Sequence, residues 1–212
     1  MKVLIFGASG AIGTAIATEL HDRGHEVVAA SRRGAPAGGL PVATITADAT
    51  DPDSVAAAAT GVDAIVSAIG PQWDGVDTPE VLVAGAKGLV AGAAKAGVDR
   101  VIVVGGAGSL EVAPGVRIVD TAEFPAEWKP VALAHADALE VFRDVDDLDW
   151  TYVSPPALIE AGDRTGSYRK GSDTLLVDDS GTSRITHPDF AIAIADELEQ
   201  GTAIRQRITV AH

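Results

Sequence analysis

Three glycines, Gly7, Gly10 and Gly13, set between an apolar run and a helical pattern, constrain this chain more than any other feature. Lys2 to Phe6 is a short apolar stretch without a period, as expected of a strand buried on both faces of a parallel sheet. From Ala11 an Ala/Ile/Leu-rich helical pattern runs to Arg23, with Gly24 as its stop, and a second strand, Glu26 to Ala30, leads into Ser31-Arg32-Arg33. In such a strand–turn–helix unit one glycine permits the tight bend, one lets backbone approach a pyrophosphate, and one lets helix pack closely on strand. The free N–H groups and positive dipole end at the helix start then face phosphate oxygens. Gly7, Ser9, Gly10, Ala11, Ile12 and Gly13 are therefore the candidate pyrophosphate contacts.

The G-x-x-G-x-x-G spacing resembles the short-chain dehydrogenase/reductase superfamily, in its extended and atypical branches. A dinucleotide fold selective for NAD places an acid near the end of the second strand, on the ribose 2′-hydroxyl. Ser31 stands there instead, followed by Arg32 and Arg33, and a hydroxyl with two guanidinium groups suits a 2′-phosphate. NADPH is the expected cofactor, with NADH the alternative. The competing reading makes both arginines solvated loop charges.

The 212 residues fit one domain, expected to span 1–212, with a substantial core. No apolar run approaches the ~20 residues of a membrane span, so a cytoplasmic protein without membrane contact is expected. The absence of cysteine excludes disulfides, thiolate metal sites and cysteine nucleophiles. A formal net charge of −14 repels nucleic acid over most of the surface, so an anionic ligand needs a local positive patch.

Strand and helix patterns alternate five times, which predicts an α/β fold with a doubly wound parallel sheet. Val42 to Ala47 is the third strand. Asp51-Pro52 is an N-cap with proline at the first helical position, and that helix runs to Ala59. Asp63 to Ala68 is the fourth strand, Thr78-Pro79-Glu80 opens a helix ending at Ala96, and Arg100 to Val104 is the fifth strand. Leu110 to Pro130 has no clear period. Val131 to Arg143 is helical and Asp149 to Val153 is the sixth strand. Beyond it, 154–187 forms an irregular substrate-side insertion, with Asp178-Asp179-Ser180-Gly181 as a hairpin turn between short strands. Pro188 to Gln200 is the last helix and Arg205 to Val210 the last strand. By the superfamily resemblance, Asp48 accepts a hydrogen bond from the adenine amino group, although it equally caps a turn. The turn Ala68-Ile69-Gly70-Pro71 lies along the ribose by the same resemblance.

Alcohol-acting members of the superfamily use Tyr-x-x-x-Lys to pass a proton. Here neither Tyr152 nor Tyr168 has a lysine four residues later. Hydride transfer to a flavin-like ring depends on stacking and distance more than on an acid at a carbonyl. The resemblance becomes closer in four stretches: Val103-Val104-Gly105-Gly106-Ala107-Gly108-Ser109-Leu110, Phe124-Pro125-Ala126-Glu127-Trp128-Lys129-Pro130, Leu148-Asp149-Trp150-Thr151-Tyr152-Val153-Ser154-Pro155-Pro156 and Asp163-Arg164-Thr165-Gly166. Together they are similar to the atypical short-chain group known as NADH-flavin reductases, laid out like biliverdin reductase B. That resemblance implies that Gly105, Gly106 and Ser109 lie beside the nicotinamide and Ser154, Pro155 and Pro156 along its carboxamide edge.

Ser109 is a candidate partner for a substrate carbonyl or a local backbone partner. His135, on the helix that carries Tyr and Lys in relatives, is a candidate proton donor near neutral pH or an ordinary helix histidine. His187 is expected to cap the last helix, while His21, His25 and His212 read as solvated or structural. The five histidines lack metal-like spacing, and no metal is expected. Trp73, Phe124 and Trp128 either cover a planar ring or act as dimer contacts and loop anchors. Arg164, Arg169 and Lys170 are the positive charges expected near an anionic substrate. Asp144-Val145-Asp146-Asp147 reads as a solvated helix end rather than a cation site.

The function expected is NAD(P)H-dependent reduction of FMN, riboflavin or another flat conjugated acceptor. A non-catalytic NADP(H)-sensing regulator is the alternative, and an isomerase or dehydratase would need an acid/base pair that the sequence does not offer. Neither the acceptor nor the oligomeric state, a homodimer included, is fixed by the sequence.

Overall fold

The computed structural model describes residues 1–34, 37–70 and 78–212. The first half alternates strand and helix: β1 (Lys2–Phe6), α1 (Ala11–Asp22), β2 (Glu26–Ser31), β3 (Ala43–Thr46), α2 (Pro52–Ala58), β4 (Ala64–Ser67), α3 (Val81–Ala96) and β5 (Arg100–Val104). A small hairpin of β6 (Glu111–Ala113) and β7 (Val116–Arg117) follows, then α4 (Lys129–Arg143) and β8 (Asp149–Ser154). The last part holds β9 (Leu158–Glu160), β10 (Arg169–Gly171), β11 (Arg184–Thr186), α5 (His187–Gln200) and β12 (Gln206–Ala211).

The main sheet has the order β3-β2-β1-β4-β5-β8-β12-β10. Its strands run parallel except β10, which joins β12 antiparallel. Alternation along β1 explains why its sequence has no period. Val3 and Ile5 enter the core under α1 and α5, whereas Leu4 and Phe6 enter the core under α2, α3 and α4. Chain direction across the sheet reverses between β1 and β4, so the crevice at their carboxyl ends is the switch point of a Rossmann-like α/β fold.

Several boundaries differ from the sequence reading for identifiable reasons. Thr78 to Glu80 form a turn rather than helix, bonded by Val81 N–H to the Thr78 carbonyl at 3.1 Å, and α3 begins at Val81. Helix α4 starts at Lys129 because Pro130 fits a first turn, where its missing N–H has no partner to lose. His187 is not the cap of α5: Thr186 is, its hydroxyl accepting from Asp189 N–H. The turn at 178–181 forms, with Gly181 at φ +82° and Asp178 Oδ1 accepting from Ser180 and Thr182 N–H, but it does not join a hairpin. Residues before it are tied to β6 by Leu175 N–H to the Glu111 carbonyl, and after it β11 pairs parallel with β9.

Candidate functional site

The turn after β1 is shaped by backbone contact. Gly7 has φ +78°, and a Cβ there would lie 2.4 Å from the Ala68 carbonyl oxygen at the end of β4. A Cβ on Gly13 would lie 2.1 Å from the Gly7 carbonyl oxygen, so α1 packs on the turn only with glycine at that position. Gly10 is different. Among the described residues an added Cβ meets nothing closer than 3.5 Å, an ordinary contact, so their atoms do not demand glycine there. Gly10 is the N-cap of α1 and no side chain caps the helix, while Ser9, Gly10 and Ala11 are exposed and Ile12 half-buried. The helix start is therefore exposed and has no side-chain cap among the described residues, and its first-turn N–H groups fit a pyrophosphate.

At the carboxyl end of β2, Ser31 is half-buried, and Arg32 and Arg33 are exposed in the turn that follows. The Ser31 carbonyl accepts from Gly34 N–H at 3.2 Å and from Ala47 N–H at 3.1 Å, which brings this turn beside the end of β3. Asp48 lies there, and its Oδ1 accepts from Thr50 N–H at 2.9 Å and Thr50 Oγ1 at 2.8 Å. The turn role is thus real and occupies Oδ1. On the far side of the crevice Ala68 N–H is bonded to the Phe6 carbonyl at 2.9 Å. Ile69 packs against Gly85, whose added Cβ would meet Ile69 Cδ1 at 2.3 Å, and Gly70 is exposed. Pro71 and Trp73 lie outside the described residues.

The turn from Gly105 to Ser109 is pinned at three points. Gly105 lies on the Tyr152 ring, where an added Cβ would be 2.0 Å from Cε1, and its N–H is bonded to the Val153 carbonyl. Gly106 lies against the imidazole of His135, 2.9 Å from Cγ and 3.0 Å from Cδ2 by the same measure. Arg207 Nη1 donates to Ser109 Oγ at 2.9 Å and to the Ser109 carbonyl at 3.2 Å, while its Nε donates to Asp173 at 2.8 Å. Ser109 Oγ is therefore held as an acceptor, with its own proton left to donate.

Tyr152 is fully buried, and burial pushes its hydroxyl well above the ordinary phenol range. It donates to the His135 carbonyl at 2.7 Å and stands 3.4 Å from His135 Nδ1. Desolvation pushes the His135 imidazole down to about 4. Half-buried against Tyr152 and Gly106, the ring is held neutral at pH 7, which does not favour the role of proton donor there. Ser67, His135 and Tyr152 also line a gap of about 10 Å³, room for one water. The Ser154 hydroxyl is buried without a hydrogen-bond partner among the described residues, on the strand position paired with Thr209, and Pro155 and Pro156 after it are buried.

A family model described as NAD(P)H-binding matches residues 7–200. This chain belongs to the NAD(P)H-binding family. It is 38% identical to the uncharacterized protein YwnB of Bacillus subtilis (strain 168) over 99% of its own length and 98% of that protein's. Two solved structures superpose along all of it. A "putative exported protein" from Burkholderia pseudomallei has 52% identity and a TM-score of 0.92, with all of that chain covered. A "putative NADH-flavin reductase" from Streptococcus pneumoniae TIGR4 has 35% identity and a TM-score of 0.84, with 99% of that chain covered.

In this NAD(P)H-binding chain the three cations expected near an anionic substrate each bond to the protein itself. Arg164 forms two bonds to Glu19 on α1, at 2.9 and 3.0 Å. Arg169 donates to the His212 and Val177 carbonyls, and Lys170 donates to Glu197 at 2.9 Å and to Thr202. They fasten the 163–171 segment to α1, α5 and β12. Trp128 is half exposed at the start of α4, and Phe124 is half-buried. Among the described residues no group of three or more His, Cys, Asp or Glu side chains is arranged to hold a metal, and no helix is long and apolar enough to cross a membrane. Tyr152, Arg207 and Ser67 escaped the sequence reading. Tyr152 carried a signal, a lone tyrosine leading into Ser154-Pro155-Pro156, but its partner His135 lies on another element and no spacing rule connects the two.

Proposed function

We propose that this protein is an NADPH-dependent oxidoreductase that reduces a flat conjugated acceptor, with flavin the first candidate. The observation that carries this reading is the Gly105–Gly106 turn laid on Tyr152 and a neutral His135, a surface with no group ready to act as an acid at pH 7. When bound, the cofactor supplies a hydride from nicotinamide C4. The residues around it hold the ring, exclude water and fix the stacking distance, which is what an acceptor that delocalises its own charge requires. Ser31, Arg32 and Arg33 at the end of β2 favour the 2′-phosphate form, and the bare N-terminus of α1 takes the pyrophosphate. The name of the Streptococcus pneumoniae relative agrees with this reading.

The test is to follow NADPH absorbance in the presence of FMN or riboflavin, with a parallel series in NADH. Acceptor-dependent oxidation above the uncatalysed rate, faster with NADPH, is the expected result. Tight NADPH binding without any oxidation overturns the enzymatic reading in favour of a cofactor-sensing regulator.

A further inference from the structure

His135 is held by different neighbours on its two ring edges. Imidazole Cγ carries Nδ1 on one edge and Cδ2, followed by Nε2, on the other. Nδ1 stands 3.4 Å from the Tyr152 hydroxyl, and a Cβ built on Gly106 would lie 2.9 Å from His135 Cβ and Cγ and 3.0 Å from Cδ2, on the side of Cγ away from Nδ1. The phenol has one proton, and it is committed to the His135 carbonyl at 2.7 Å, the shorter of the two contacts. Toward Nδ1 the phenol oxygen therefore presents a lone pair. A lone pair is matched only by a proton on Nδ1, and a neutral imidazole has one N–H to place. Turning the ring over would set carbon against the phenol oxygen and leave that lone pair unmet, an unfavourable exchange around a fully buried tyrosine.

We propose that Tyr152 is a positioning residue that fixes His135 as its Nδ1–H tautomer, leaving Nε2 as a bare hydrogen-bond acceptor that selects an amide-type N–H on the bound ligand. This rests on the reading that nicotinamide and acceptor meet at the Gly105–Gly106 turn. Two groups have the right chemistry: the carboxamide NH2 of the nicotinamide, and the imide N–H of an isoalloxazine or a similar lactam acceptor. A carbonyl or carboxylate placed there would face lone pair with lone pair. The histidine is thus a specificity element for a donor group, the opposite of the proton donor that the sequence suggests.

The first arm needs no ligand. Ring ¹⁵N spectra of the intact protein at pH 7, with His135→Gln used for assignment, are expected to show a protonated Nδ1 and a bare Nε2. Tyr152→Phe is expected to move the proton toward Nε2. A proton resident on Nε2 in the wild type overturns the proposal, and that spectrum decides alone if Tyr152→Phe does not fold. The second arm compares NADPH with its acetylpyridine analogue, and FMN with 3-methyl FMN, by titration calorimetry. One analogue is expected to bind about tenfold more weakly to the wild type and equally to His135→Phe. Which analogue loses identifies the source of the N–H. If neither loses, the proposal fails. If the nicotinamide analogue loses while FMN neither binds nor is reduced, the tautomer assignment stands and only the flavin reductase reading falls.

Discussion

Gly10 and Gly13 belong to one motif, yet they answer to different partners, and substitution separates them. Gly13→Ala drives a methyl to within 2.1 Å of the Gly7 carbonyl oxygen, and overpacking of that kind costs about 1–3 kcal/mol. Gly10→Ala meets nothing closer than 3.5 Å and costs less than about 1 kcal/mol as a poorer N-cap. Thermal melts are expected to rank Gly13→Ala well below Gly10→Ala, while calorimetry finds NADPH binding weakened at least tenfold by both. His135 has its own signature in pH. Unfolded, the imidazole takes up a proton near 6.5, but folded only at about 4, so between these values the unfolded state holds more protons. Stability from the neutral ring is therefore complete above about pH 6.5 and declines as pH falls, by up to about 3 kcal/mol near pH 4. Urea titrations across that range are expected to show a shallower decline for His135→Gln than for wild type.

At the scale of elements, β1, α1, α3, β4 and β5 of the first half were legible because each buries a continuous face and a glycine follows within three residues of its end. Asp51 and Pro52 opened α2 as their types require, with Asp51 Oδ1 accepting from Asp53 N–H at 2.9 Å. After β8 the strands β9, β10 and β11 are three residues long, and the segments around them are held by side chains distant in sequence, so local pattern carries little information about them. Asp189 shows why. Fully buried in the first turn of α5, it accepts from Thr165 N–H and Oγ1, Gly166 N–H and His212 Nε2, all within 3.1 Å. Burial acts to raise its carboxyl, but these bonds outweigh it and hold the group below the ordinary carboxylate range. Asp189→Ala is expected to cost about 1–3 kcal/mol through the unpaired donors it leaves. Hydrogen exchange is expected to quicken across 163–168 while β1 and β4 keep their protection.

For the molecule as a whole, the doubly wound parallel sheet followed from alternation and right-handed crossovers, whereas its strand order and the switch point between β1 and β4 came from the structure. The antiparallel edge strand β10 and the pairing of β9 with β11 did not, because three-residue strands carry no period. In the candidate site, the glycine turn after β1 was legible as a contiguous motif. The grouping of Gly106, His135, Tyr152 and Arg207 was not, since they come from one turn and three separate elements. Net charge adds a kinetic expectation. With 30 acidic side chains against 16 basic ones, the long-range field repels an anionic dinucleotide, and salt screens that field before it screens close contacts. Stopped-flow fluorescence is expected to show NADPH association quickening as ionic strength rises from 20 to ~200 mM.

The free space above Gly10 has an evolutionary consequence. Because folding asks only a helix N-cap of that position, a lineage that stopped using dinucleotides would drift there first, while Gly7 and Gly13 stayed under architectural constraint. A related chain that keeps the outer two glycines and carries a bulky residue between them should be a well-folded protein that has left nicotinamide chemistry behind.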